Sequence, residues 1–145
     1  MNGKSDFLLL MLASENSSPI FGATRLMKMM YIARLKLKKK IRGVDFYQFY
    51  LHKYGPYSKE LQDDISQLSI QDYIVEELVN IGNVLMKVYG LTEKGKEKVR
   101  TLKSQHDTRN IFEEIKSTYN NVSLYTLIRK VYSFPETRNL EPYIT

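Results

Sequence analysis

Cysteine is absent from the 145 residues. That excludes a disulfide framework, a thiolate zinc site and a cysteine nucleophile, and it suits a reducing cytoplasm. Long apolar runs are absent as well. The longest, Phe7-Leu8-Leu9-Leu10-Met11-Leu12-Ala13, has seven residues, against the roughly 20 that a membrane-spanning helix needs. One basic residue, Lys4, precedes it and no small-residue cleavage site follows, so it reads as a core helix and neither a secretory signal nor a membrane partner is expected. The seven glycines are scattered, which leaves no phosphate-cradling loop. The two histidines, His52 and His106, lie far apart and without metal-ligand spacing. Glu60, Asp63 and Asp64 form a carboxylate group, yet neighbours on a helix project about 100° apart. They suit compensation of a helix dipole better than convergence on a metal. No catalytic residue, metal or cofactor is expected, and the chain does not read as an enzyme.

One further absence is local. Between Glu15 and Asp45 there is no acidic residue, and the interval holds eight basic ones: Arg25, Lys28, Arg34, Lys36, Lys38, Lys39, Lys40 and Arg42. The whole chain carries a net +6, so everything outside this interval sums to −2. A basic excess confined to one segment favours a polyanionic partner.

Periodicity predicts a mostly α-helical chain with a small β-hairpin. A buried helix is expected from Ser5 to about Ser14, capped by Ser5 or Asp6, then a loop to Gly22 in which Ile20 and Phe21 form a short extended piece or staple. A long helix begins near Ala23 or Thr24 and runs to about Lys40. Leu26, Met30, Ala33, Leu37 and Ile41 share one stripe of it, and Arg25, Lys28, Lys36, Lys39 and Lys40 another. The aromatic segment Val44–Tyr54 reads as extended or as a short helix. In Tyr54-Gly55-Pro56-Tyr57-Ser58, Gly55 and Pro56 make a turn and Ser58 caps a helix to about Ser69 with Leu61, Ile65 and Leu68 as its buried stripe. Strands follow over 73–79 and 84–91 around Ile81-Gly82-Asn83. Then come a helix capped by Thr92, one starting at Asp107 or Thr108, one starting at Ser123 and closed by Pro135, and an irregular tail from Glu136. The organisation expected is a domain over 1–104, C-terminal helices over 105–135 packed on it or forming a dimer interface, and a tail over 136–145.

A helix pair followed by a hairpin is the order of a winged helix-turn-helix with extra C-terminal helices. On that reading double-stranded DNA is the partner and the protein a transcriptional regulator, with a homodimer expected through the C-terminal helices. Arg25, Lys28, Lys36, Lys39 and Lys40 neutralise phosphates, while Lys59, Gln62 and Gln67 on the capped helix and Asn83 and Lys87 on the hairpin add contacts. Against it stand the long link between the second and third helices and the net charge of −2 on the capped helix, from Lys59, Glu60, Asp63 and Asp64.

Arg25-Leu26-Met27-Lys28-Met29-Met30-Tyr31, Tyr54-Gly55-Pro56-Tyr57-Ser58 and Leu91-Thr92-x-x-Gly95 together resemble a group of small bacterial and archaeal proteins described as winged-helix-like. That group carries a Leu-x-Lys-hydrophobic-hydrophobic-Tyr helix, a Tyr-Gly-Pro-Tyr-Ser turn and a Leu-Thr-x-x-Gly strand exit. The pattern is also similar to the Panacea (SocA-like) antitoxin domain, whose members neutralise toxins by protein contact. The resemblance implies a second function: an antitoxin-like or adaptor module without catalytic activity, in which Tyr54 and Tyr57 meet a toxin or regulator. A third reading is single-stranded nucleic acid stacked on exposed tyrosines.

Overall fold

The computed structural model describes residues 3–144; Met1, Asn2 and Thr145, the last residue of the tail, lie outside the described residues. Its elements run α1 (Gly3–Ser17), β1 (Ile20–Phe21), α2 (Ala23–Lys40), β2 (Tyr50–His52), β3 (Gly55–Tyr57), α3 (Lys59–Ile70), β4 (Ile74–Ile81), β5 (Val84–Leu91), α4 (Glu93–Thr101), α5 (His106–Tyr119), α6 (Leu124–Ser133) and α7 (Pro135–Arg138). The fold is mostly helical with small antiparallel sheets.

The molecule is built around α2. The helical wheel predicts one buried stripe, but every residue from Leu26 to Ala33 is buried, as are Leu35 and Leu37. A helix apolar on all sides belongs inside a core, and α5, α6, β1 and β3 all pack against this one. Exposed positions are confined to its two ends, Ala23 at the start and Lys38 to Lys40 in the last turn. Each buried leucine, isoleucine or methionine contributes about 1.5–3 kcal/mol, so this helix anchors the fold.

Helical backbone in α1 ends at Ser14, where ψ swings to 155°. Glu15, Asn16 and Ser17 then take positive φ of 54°, 56° and 57°, a conformation costing non-glycine residues about 1–2 kcal/mol each. α5 holds the chain there. The buried Lys116 ammonium donates to the Leu12 and Ser14 carbonyls at 2.9 and 2.7 Å, and the Glu15 N–H donates to Glu113 at 2.7 Å. Asn120 donates to the Pro19 carbonyl at 3.1 Å. The chain thereby reverses into β1, the extended piece expected at Ile20 and Phe21.

β4 and β5 pair over their full length and β1 adds to β5, giving the order β1-β5-β4. Gly82 and Asn83 both have positive φ, 55° and 67°, the requirement of a two-residue type I′ hairpin loop.

The segment 54–58 differs from expectation. Gly55 to Tyr57 is a strand paired with Tyr50 to His52, and the turn lies at Lys53-Tyr54. Phe46, Tyr47 and Phe49 are buried but belong to no strand or helix. Ser58 caps α3 as its sequence indicates, its hydroxyl accepting from Leu61 N–H at 3.2 Å. Nor is the tail irregular throughout. Pro135 opens α7, and Leu51 N–H donates to the Glu141 backbone carbonyl at 2.7 Å while Tyr143 N–H donates to the Leu51 carbonyl at 2.8 Å. The tail runs beside β2 as a parallel bridge.

Candidate functional site

Most of the basic residues singled out from sequence are engaged with protein. The Arg25 guanidinium donates to the Tyr119 carbonyl at 2.7 Å, closing the C-terminal end of α5. Lys28 is 2% exposed. Arg34 donates to the Tyr47 carbonyl at 2.9 Å, and Lys36 lies 3.6 Å from Glu114. What remains free in solvent is Lys38, Lys39, Lys40 and Arg42. The predicted basic stripe along α2 is therefore a cluster at one end, because α5 and the β2–β3 hairpin occupy the space that the wheel assigned to solvent.

The acidic start of α3 is structural. Glu60 accepts from the Lys4 ammonium at 2.6 Å and from Gln48 N–H at 2.8 Å, tying α1 and the aromatic segment to α3. Burial pushes the Glu60 carboxyl up, but Lys4, Gln48 and Arg34 outweigh it and hold it below its ordinary value. Asp64 accepts from the Tyr47 hydroxyl at 2.6 Å. Burial and that carboxylate raise the Tyr47 pKa well above the usual phenol range. Lys59 pairs with Asp63 at 2.7 Å, and Gln67 is exposed toward the end of the helix. Among the described residues, no group of three or more His, Asp or Glu is placed to hold a metal ion.

The hairpin holds what sequence reasoning missed. Strand side chains alternate between faces, and the register puts Ile20, Ile74 and Tyr89 on the inner face, all buried. The opposite face carries Phe21, Val75, Val79, Ile81, Val84, Met86 and Val88, with Glu77 as its one charge. Phe21, Ile81 and Val84 are 41%, 43% and 56% exposed. Beyond the core, Leu78 and Leu85 on the inner face are 67% and 70% exposed. The far half of the hairpin thus exposes apolar side chains on both sides, with Asn80 and Lys87 beside them on the inner one. Lys87, its basic residue, lies 3.6 Å from Glu76, and Asn83 forms the loop. The legible signal was that the outer alternating set of β4 and β5 is apolar apart from Glu77, whereas the polar residues Glu76, Asn80 and Lys87 fall in the inner set, the reverse of a strand pair with a solvated outer face.

The 54–58 segment forms a second site. Tyr57 packs edge-on against Tyr143, ring centroids 5.0 Å apart, and His52 lies 5.3 Å from Tyr57 and 5.7 Å from Tyr143. Tyr54 stands out at 65% exposure. Beside this cluster is a cleft of about 180 Å³ bordered by Thr24, Lys28, His52, Gly55, Tyr57 and Gln62. The Lys28 ammonium donates to the Pro56 carbonyl at 3.3 Å, and burial pushes its pKa down to about 8. The third motif is packing: the Thr92 hydroxyl accepts from Gly95 N–H at 2.9 Å and donates to the Asp72 carbonyl at 2.6 Å. The Tyr73 carbonyl fills the place of a Gly95 side chain.

No family model matches the chain. It is similar to a Bacillus subtilis (strain 168) protein named uncharacterized protein YwgA, with 35% identity over 86 residues, or 59% of this chain and 49% of that protein. The chain spans about half the length of this curated relative. Among the described residues, no helix is long and apolar enough to cross a membrane.

Proposed function

We propose that the protein is a non-catalytic interaction module, of adaptor or antitoxin type, that docks another protein on the outer face of β1-β5-β4 and on the apolar end of the hairpin. The observation that carries this reading is the solvent-facing set Phe21, Leu78, Ile81, Val84 and Leu85. Large apolar side chains exposed together around one hairpin favour an interaction site. A sheet face exposing valines and isoleucines gains about 25 cal/mol for each Å² it loses from water, so a partner that covers it binds by burial. Tyr54 supplies an aromatic contact of the type enriched at interfaces. The test is a parallel purification of tagged wild type and an Ile81→Lys/Val84→Lys variant from the native host. A stoichiometric polypeptide that accompanies wild type and is lost from the variant supports the proposal. The same polypeptide on both proteins, or none on either, contradicts it.

A second reading is favoured by the solvated run Lys38, Lys39, Lys40 and Arg42. In a winged-helix arrangement these cations would serve as phosphate contacts for duplex DNA, with the fold acting as a regulator in the cytoplasm. Four contacts correspond to a slope of about −3.6 in log K against log salt. A gel shift on random duplex with Lys38, Lys39 and Lys40 changed to glutamate tests it, and unchanged retention by that variant rejects it.

A further inference from the structure

Two lysines are buried, and their surroundings differ. Lys116 has two carbonyl acceptors at 2.9 and 2.7 Å and serves as a clamp on the end of α1. Lys28 has one acceptor, Pro56, at 3.3 Å. Among the described residues no carboxylate pairs with it. An ammonium has three donors, so among the described residues two of Lys28's lack an acceptor, and Lys28 borders an open cleft.

The rest of the cleft has the same sign. Ala23 and Thr24, the first residues of α2, border it. The N–H groups of a helix's first turn have no intrahelical acceptor, no side chain caps this end, and its first turn holds no acidic residue. Lys28 lies four residues after Thr24, on the same face, and helix side chains lean toward the N-terminus. Buried cation and helix N-terminus thus border the same cleft. Among the bordering residues there is no Asp or Glu, while Met27, Pro56, Tyr54 and Tyr57 give apolar surface.

We propose that this cleft binds the carboxylate of a small organic acid, seated between the Lys28 ammonium and the first-turn amides of α2, with its apolar body against Met27, Pro56 and Tyr57. None of the residues involved belongs to the β1-β5-β4 face; of the contacts proposed above for a protein partner, the cleft shares Tyr54 at its border. A volume of about 180 Å³ equals roughly six waters at 30 Å³ each, enough for a benzoate-sized acid. Its carboxylate would supply the counter-charge that Lys28 lacks; the burial that lowers the lysine pKa also strengthens the pairing.

The test is an NMR titration of the full chain with benzoate, with benzamide as its uncharged counterpart and inorganic phosphate as a second anion. Saturable shifts at the amides of Thr24, Lys28 and Gly55 are expected with benzoate. Binding should be about tenfold or more weaker for benzamide, and likewise for benzoate with Lys28→Met. Absence of saturable shifts, equal binding of benzamide, or undiminished binding to folded Lys28→Met overturns the proposal. Binding of phosphate but not benzoate also overturns it. Should Lys28→Met fail to fold, the benzamide comparison on wild type decides.

Discussion

The Lys28 ammonium lies 3.3 Å from the carbonyl oxygen of Pro56, joining the core helix to the middle of a strand 28 positions later. A Cβ on Gly55 would come within 3.0 Å of the same lysine's Cε and Nζ, and Gly55 has φ of 102°. The Leu-x-Lys helix and the Tyr-Gly-Pro-Tyr-Ser segment are therefore two halves of one contact. The glycine makes room for the lysine, and the proline, which lacks an N–H, offers its carbonyl.

Burial of Lys28 and Lys116 gives the protein an alkaline stability maximum. Both have pKa values lowered from 10.5 to about 8 by burial. Between those values the unfolded chain binds more protons than the folded one, so stability rises with pH across the window. Each lysine contributes about 3 kcal/mol to that rise. Above pH 10 the trend reverses, since burial raises the Tyr89 hydroxyl from 10.0 to about 12 and ionisation then favours the unfolded chain. Urea unfolding from pH 7 to 11 should show a maximum near pH 10. In Lys28→Met the rise should be about half as large, with stability at pH 7 greater by about 1–2 kcal/mol once the lost hydrogen bond is counted.

Gly95 inverts a familiar helix rule. Glycine to alanine inside a helix ordinarily stabilises by about 1 kcal/mol. Here the new Cβ would lie 2.0 Å from the Tyr73 carbonyl oxygen, a backbone atom that cannot swing aside. Gly95→Ala should destabilise by about 3 kcal/mol, read by thermal unfolding.

The last residues of the chain brace the β2–β3 hairpin. Tyr143 touches both Tyr57 and His52, and the tail exchanges two backbone hydrogen bonds with Leu51. Tyr143→Ala should lower stability by about 1–2 kcal/mol and shift the ring resonances of His52 and Tyr57, leaving the β4–β5 amides unmoved.

Local chemistry made much of the fold legible. Ser58 and Thr92 cap where they should, Gly82-Asn83 forms the hairpin loop, and Leu61, Ile65 and Leu68 face inward. Long-range packing was less visible. A wheel of α2 cannot show that α5 and β3 cover the flanks of Lys28 and Arg25, because a lysine stem packs like an apolar chain and an arginine fork suits carbonyls as well as phosphates. Nor can it show Tyr143 returning to Tyr57 from 86 positions away. The apolar face of the hairpin was present in the alternation of Val75, Val79, Ile81, Val84 and Val88, but its exposure is a tertiary fact.

Hydrogen–deuterium exchange of the protein bound to its co-purified partner tests the docking surface most directly. Ile81 and Val84 lie at the surface, and lysine there should change stability by less than about 0.5 kcal/mol, so Ile81→Lys/Val84→Lys is a clean control. Slowed exchange over residues 75–88 in the complex, absent when the variant is mixed with the same partner, is the expected result. Protection confined to Lys38–Arg42 or to α3, with 75–88 exchanging as in the free protein, would contradict docking on the sheet.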